Sequence, residues 1–140
     1  LFLAVIDVDN LKEINDKYGH LAGDKLLKSV GDIIKHCIRE NVDWPFRYGG
    51  DEFCVILTQV SLEQAIATSE RFIQSFSEKK LPLTGLSIGL AQFIRSKDAK
   101  WTENIADLVK RSDNALYKAK HTGRNRVVVD NKHNEHHAGE

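Results

Sequence analysis

Two adjacent carboxylates, Asp51 and Glu52, follow two adjacent glycines in the heptad Arg47-Tyr48-Gly49-Gly50-Asp51-Glu52-Phe53. Glycine takes positive φ cheaply and lets a bulky ligand approach the backbone, so Gly49 and Gly50 describe a sharp turn. An aromatic-proline run precedes the heptad and the apolar stretch Phe53 to Leu57 follows it. That pattern predicts a β-hairpin with the acidic pair at its tip. Uncovered carboxylates at a hairpin tip are costly unless solvent or a cation meets them, and a divalent metal is the first chemistry to consider. A second acidic group, Asp7-Val8-Asp9, closes the apolar run that opens the chain. A strand end and a hairpin tip can bring two hard oxygen donors together from distant positions.

The elements that must position these groups are legible in the apolar periodicity. Leu1 to Val8 reads as a buried strand, followed by a short helix from Leu11 to Lys17 that Tyr18-Gly19-His20 breaks. From about Gly23, Leu26, Leu27, Val30, Ile33, Ile34, Cys37 and Ile38 recur at helical spacing and predict a long amphipathic helix. After the hairpin, Ser61-Leu62-Glu63-Gln64 is a capping-box pattern, opening a helix with Leu62, Ile66, Phe72, Ile73 and Phe76 inward. Pro82 precedes a strand from Leu83 to Phe93. Thr102 is then a candidate N-cap for a helix with Ile105, Leu108, Val109, Leu116 and Ala119 inward, and Gly123 its stop. Arg126 to Val129 makes the last strand, and the polar residues 130–140 are expected to be a disordered tail. Strands alternating with amphipathic helices, plus one hairpin, indicate an α/β (α+β) fold with helices packed on a central mixed sheet.

Composition bounds the functions available. At 140 residues the chain is one domain, and twenty basic residues balance twenty acidic ones, which argues against nucleic acid or an anionic membrane as the main partner. The apolar runs are too short to span a bilayer and no signal peptide precedes the first strand, so the fragment reads as cytoplasmic. A longer parent protein could still carry a membrane anchor. With no methionine and an immediate apolar start, the chain reads as a piece of a longer protein. Cys37 and Cys54 fall at apolar positions and read as small core residues. His133, His136 and His137 read as part of the polar tail, and His20 as structural.

The heptad contains Gly49-Gly50-Asp51-Glu52-Phe53, the literal signature of GGDEF domains, and the chain resembles the diguanylate cyclases, which make cyclic di-GMP from GTP. The resemblance includes Asp7-Val8-Asp9-Asn10-Leu11-Lys12-Glu13-Ile14-Asn15-Asp16, Tyr18-Gly19-His20, Gly23-Asp24 and Leu86-Ser87-Ile88-Gly89. It continues through Ser112-Asp113-Asn114-Ala115-Leu116-Tyr117-Lys118-Ala119-Lys120 and Gly123-Arg124-Asn125-Arg126. These blocks keep the family's order over residues 1–129. By resemblance the fold is similar to class III nucleotidyl cyclase and polymerase palm cores, with a mostly antiparallel sheet flanked by helices.

The resemblance also implies a reaction, in which each 3′-hydroxyl of two GTP molecules attacks the other's α-phosphate and expels pyrophosphate. Mg²⁺ or Mn²⁺, two per site and roughly 4 Å apart in comparable enzymes, would be held by Asp7, the Val8 carbonyl and Asp51. Glu52 would approach the metal, take the 3′-hydroxyl proton or hold Lys12. The amides of Asn10, Leu11 and Lys12, at a helix start, would meet the β- and γ-phosphates, with Lys12, Lys120 and Arg124 adding positive charge. Asn15 and Asp24 occupy the guanine-reading positions, a carboxylate accepting N1–H and the amino group together. Rejection of adenine would then be on the order of 10⁴-fold. Without the family, acidic residues at strand ends often cap the next helix, Lys120 and Arg124 would be solvated charges, Asn15 a helix-end residue and Asp24 an N-cap.

Each family domain binds one GTP, so turnover requires a homodimer, commonly controlled by an upstream sensory or regulatory domain. The family's inhibitory product site, an arginine, two further residues and an aspartate, is degenerate here. Asp43 matches, Glu40 replaces the arginine, and Arg39 stands one position early, which on a helix turns its side chain by roughly 100°. Arg71 matches a secondary contact. The family's usual lead-in, an aspartate followed by Leu-Thr-Gly-Leu and an Asn-Arg pair, does not occur in the 140 residues, and folding and turnover are expected to be sensitive to that. The alternative to an active nucleotidyltransferase is a non-catalytic GGDEF domain that binds GTP as a regulatory module.

Overall fold

A computed structural model of the chain describes residues 1–132. Of the expected disordered tail over residues 130–140, all but residues 130–132 lie outside the described residues, as do His133, His136 and His137. Asp130 is tied into the fold, its N–H donating to the Leu90 carbonyl and its carboxylate accepting from Arg111.

The elements run β1 (Phe2–Val8), α1 (Leu11–Tyr18), α2 (His20–Cys37), β2 (Trp44–Tyr48), β3 (Glu52–Leu57), α3 (Leu62–Ser77), β4 (Leu86–Gln92), α4 (Trp101–His121) and β5 (Val127–Val129). The sheet order is β2-β3-β1-β4-β5, antiparallel except for the parallel β4–β5 pair. This is the mixed sheet with flanking helices that the pattern predicts, and it is mostly antiparallel, as the resemblance implies. β1 lies at its centre, buried at all seven positions because helices cover both faces. Phe2, Ala4, Ile6 and Val8 join Ile34, Phe72 and Ile88 in the larger core, while Leu3 and Val5 meet Leu108 and Leu116 on the other side. Each such Val, Leu, Ile or Phe side chain contributes about 1.5–3 kcal/mol of burial free energy. By the same alternation Asp7 shares the α4 side with Leu3 and Val5.

α4 lies unusually close to β4. A Cβ on Gly89 would stand 2.2 Å from the Ser112 carbonyl oxygen and 2.3 Å from the Leu116 nitrogen, so only glycine permits this approach.

Several boundaries differ from the sequence expectation. α2 begins at His20, three residues before Gly23, because Gly19 alone makes the break, at φ +89°. β4 begins at Leu86 and not Leu83, since Leu83 takes φ +66° and cannot continue a strand. α4 begins at Trp101, with the Glu103 carboxylate accepting the Lys100 N–H, so Thr102 is not its N-cap. Ile105 is 52% exposed and not inward, whereas Leu108, Leu116 and Ala119 are buried. β5 starts at Val127, one residue after Arg126. The Ser61–Gln64 capping box is present with both of its hydrogen bonds. Cys54 is buried, Cys37 is half-buried against the core, and both are free thiols.

Candidate active site

The strand register brings the two acidic segments together. β1 and β3 pair so that Asp7 stands opposite Glu52, and β2 and β3 pair so that Tyr48 stands on Glu52's other side. Asp51 precedes Glu52 in the exposed turn, where Gly49 has φ +78° and Arg47 donates to the Gly50 carbonyl while its guanidinium lies over the Phe53 ring. Gly50 has open space around it. Asp7 is 4% exposed, and burial raises its pKa against the Lys120 ammonium, which lowers it; Asp51 and Asp9 add to the rise. Glu52 is raised for the same first reason, burial, followed by the charges of Asp7, Asp113 and Asp51.

The end of α4 closes the site. Lys120 Nζ forms an ion pair with Asp7 Oδ2. Past the helix, Arg124 donates to Asn10 Oδ1 at 3.0 Å, and Asn10 in turn donates to the Leu83 carbonyl at 2.7 Å. Asn10 holds φ +59°, a left-handed conformation that asparagine tolerates, and α1 starts at Leu11 immediately after it. Lys12 is exposed in the first turn of that helix. Asp7, Val8, Asn10, Lys120 and Arg124 thus converge on one end of the sheet.

Asn15 and Asp24 lie on α1 and α2. Asn15 Oδ1 is buried and has no hydrogen-bond partner, an uncommon state for a polar atom. Its room is made by Gly23, where a Cβ would come within 1.8 Å of that oxygen. Asp24 is inside α2, four residues past its start, so the N-cap reading of Asp24 fails. It opens onto a groove of about 430 Å³ between α2 and the hairpin, bordered by Leu27, Arg47 and Phe53.

Arg39 and Asp43, at the place where the resemblance implies a degenerate inhibitory site, are occupied with each other. Arg39 lies beyond the end of α2, so the helical rotation expected of it does not apply. It forks the Asp43 carboxylate at 3.1 and 2.9 Å and donates to the Thr58 carbonyl, and Asp43 also accepts the Arg39 and Thr58 N–H groups. Asp43 is buried and Glu40 is exposed. Arg71 reaches the Cys37 carbonyl. His20 opens α2 and is exposed.

Three residues matter here that sequence reasoning left without a role. Asp9 accepts from Ser87 Oγ at 2.6 Å and from the Asn125 N–H at 3.0 Å, pinning β1 to β4 and to the segment after α4. Arg47 fixes the turn. Asp113, exposed overall, adds a carboxylate from α4, its own pKa raised by partial desolvation. Asp113 stands inside a quoted motif block, a signal that could have marked it; the contacts of Asp9 and Arg47 are visible only in three dimensions.

Among the described residues, no three His, Cys, Asp or Glu side chains converge into a metal cage. The two carboxylates suit a hard divalent ion that keeps waters and takes further oxygens from a phosphate substrate. Asp7 is moreover already neutralised by a cation.

Comparison with known proteins shows the family and the fold. The family model described as diguanylate cyclase, GGDEF domain, matches residues 1–126. Diguanylate cyclase A of Treponema denticola is 42% identical over 130 residues, covering 92% of this chain and 35% of that protein. Diguanylate cyclase DosC of Escherichia coli is 40% identical over 136 residues, covering 92% and 28%. The chain thus spans about a third of the length of these curated relatives. The GGDEF domain of DgcB from Caulobacter crescentus, solved in complex with c-di-GMP, superposes with a TM-score of 0.82 at 29% identity, covering 94% of this chain and 78% of that one. The active GGEEF domain of a diguanylate cyclase from Vibrio cholerae gives 0.80 at 33% identity, covering 94% and 83%. With the signature hairpin, the sheet order and these similarities in agreement, the chain belongs to the GGDEF domain family of diguanylate cyclases.

Proposed function

We propose that residues 1–129 form a catalytic unit that condenses two GTP molecules into cyclic di-GMP with release of two pyrophosphates. The observation that carries this reading is the convergence, at one end of the sheet, of the Asp7–Glu52 pair with Lys120 and Arg124. Acidic and basic groups side by side are what a cation-assisted attack on a triphosphate requires.

In each transfer the 3′-oxygen of one GTP attacks the α-phosphorus of the other. The bond from that phosphorus to the oxygen bridging to the β-phosphate breaks, and pyrophosphate leaves. Glu52, beside Asp7, accepts the hydroxyl proton. Lys12, Lys120 and Arg124, with the amides of Asn10, Leu11 and Lys12, hold the triphosphate in line. Mg²⁺ or Mn²⁺, held by Asp7, the Val8 carbonyl and Asp51, supplies polarisation of the phosphate oxygens when bound. Asn15, whose orphan oxygen needs a donor, and Asp24 select guanine.

One domain presents one GTP, so the attacking hydroxyl belongs to a nucleotide on a second copy and the active form is a homodimer. A sensory or regulatory domain in the parent protein controls that pairing. No described helix is long and apolar enough to cross a membrane; the unit works in the cytoplasm, where GTP is available.

The test is incubation of the purified domain at high concentration with GTP and Mg²⁺, with chromatography of the products. Cyclic di-GMP that disappears with EDTA and in Asp51→Ala supports the reading. GTP binding by calorimetry without product, in the domain and in the full-length protein alike, overturns catalysis in favour of a GTP-binding regulatory module.

A further inference from the structure

Lys120 is in contact with Asp7, and this contact is incompatible with the simultaneous roles given above to the two residues. An ammonium touching a carboxylate repels a dication approaching the same group. While it does so it is also unavailable to a phosphate. We propose that Lys120 is a tethered counter-ion, which holds the place of the divalent cation on Asp7 in the substrate-free domain and passes to the triphosphate when the metal enters. The inference rests on the proposed function and deepens it, by making metal and triphosphate load cooperatively.

The surroundings explain the need for such a group. The Asp7 side chain is only 6% exposed, faces Glu52, and feels the charges of Asp51 and Asp9. Without a positive neighbour this cluster would repel itself in a poorly solvated place. Lysine suits the task because a compact charge on a flexible four-carbon stem can relocate, and its side chain is 36% exposed at the helix end. Asp7 is fixed in the central strand, so the lysine is the partner that moves. Arg124 holds the neutral Asn10 amide and carries no such conflict. By linkage, whatever factor the metal adds to triphosphate affinity, the triphosphate adds to metal affinity.

The experiment titrates Mn²⁺ by calorimetry, without nucleotide, into the wild type, Lys120→Gln and Lys120→Arg, with melting curves of each in EDTA. The expected result is roughly 10-fold tighter Mn²⁺ binding by Lys120→Gln, with a lower melting temperature in EDTA that Mn²⁺ restores. Lys120→Arg, which keeps a cation, is expected to stay near the wild type. A Lys120→Gln chain that folds only when Mn²⁺ is present is the same result in stronger form. Unchanged or weaker Mn²⁺ binding by Lys120→Gln, in a wild type that still binds GTP with Mn²⁺, overturns the counter-ion and leaves the proposed function standing. A wild type that binds neither Mn²⁺ nor GTP overturns both.

Discussion

Asp7 and Glu52 stand directly opposite each other on β1 and β3, a like-charged cross-strand pair in a largely buried setting. Such pairs destabilise a sheet. The raised pKa of Asp7, caused first by burial and only partly offset by Lys120, expresses that cost. Above its folded pKa the ionised carboxylate disfavours the folded state, and the penalty is relieved as pH falls through that value, because the folded chain then binds the extra proton. Asp7→Asn is expected to stabilise the metal-free domain by about 1 kcal/mol, or about 3 °C in Tm, while abolishing cyclic di-GMP formation. Melting curves in EDTA and a product assay on one sample check both. A variant less stable than the wild type at neutral pH contradicts this account.

The Arg39–Asp43 fork stabilises the turn between α2 and β2. Burial raises the Asp43 pKa, but the Arg39 guanidinium and the N–H groups of Arg39 and Thr58 outweigh it and hold the carboxyl below its usual range. Its contribution is therefore complete above the ordinary carboxyl pKa and is lost as pH falls through the depressed one. Asp43→Ala is expected to cost about 2 kcal/mol, from the unpaired Thr58 and Arg39 N–H groups more than from the half-exposed ion pair. Chemical denaturation from pH 7 downward should show a difference that is constant above the ordinary carboxyl range and shrinks only as pH falls below it.

Product inhibition should also be weak, since Arg39 and Asp43 are engaged with each other and Glu40 opposes a phosphate. Initial rates are expected to be insensitive to micromolar cyclic di-GMP. Inhibition that persists in an Arg39→Ala, Arg71→Ala double variant would locate a different inhibitory surface.

Gly23 and Gly89 should respond differently to alanine. At Gly89 the new methyl group meets the α4 backbone, so Gly89→Ala is expected to cost about 3 kcal/mol or more. At Gly23 it meets the end of the Asn15 side chain, which can rotate. Gly23→Ala should fold with less than about 1 kcal/mol lost, yet bind GTP roughly 10-fold more weakly, like Asn15→Ala. Paired melting and calorimetry separate the two positions.

Arg47 ties the turn to β3 through the Gly50 carbonyl and the Phe53 ring. Arg47→Gln is expected to lower kcat about 10-fold with little change in Tm, because the turn is exposed and only the placement of Asp51 suffers. An equal loss of stability would assign Arg47 to the fold instead.

Local chemistry made the hairpin and the Ser61–Gln64 cap legible, since glycine spacing and a three-residue cap pattern carry their own geometry. Alternation likewise revealed β1. The period of α4 does not show how far the sheet extends beneath it, so it predicts an inward Ile105 where the residue is exposed. Leu83 reads as strand because apolar residues follow it, yet its left-handed backbone is set by the loop that gives its carbonyl to Asn10. The helical geometry that predicts the direction of Arg39 ends at Cys37. The sequence marks Asp9 and Asp43 by motif but not their partners, since Ser87 and Asn125 reach Asp9, and Arg39 and Thr58 reach Asp43, only in the tertiary fold.

The bonds from Arg124 to Asn10 and from Asn125 to Asp9 close loops of 114 and 116 residues. A ribosome emits the front of the site long before its back, so a chain still lacking α4 has its buried acids but neither the lysine that neutralises them nor the arginine that faces Asn10. On the proposed function, nucleotide capture would wait until synthesis of the domain is essentially complete, and a prematurely terminated chain would be silent as well as unstable.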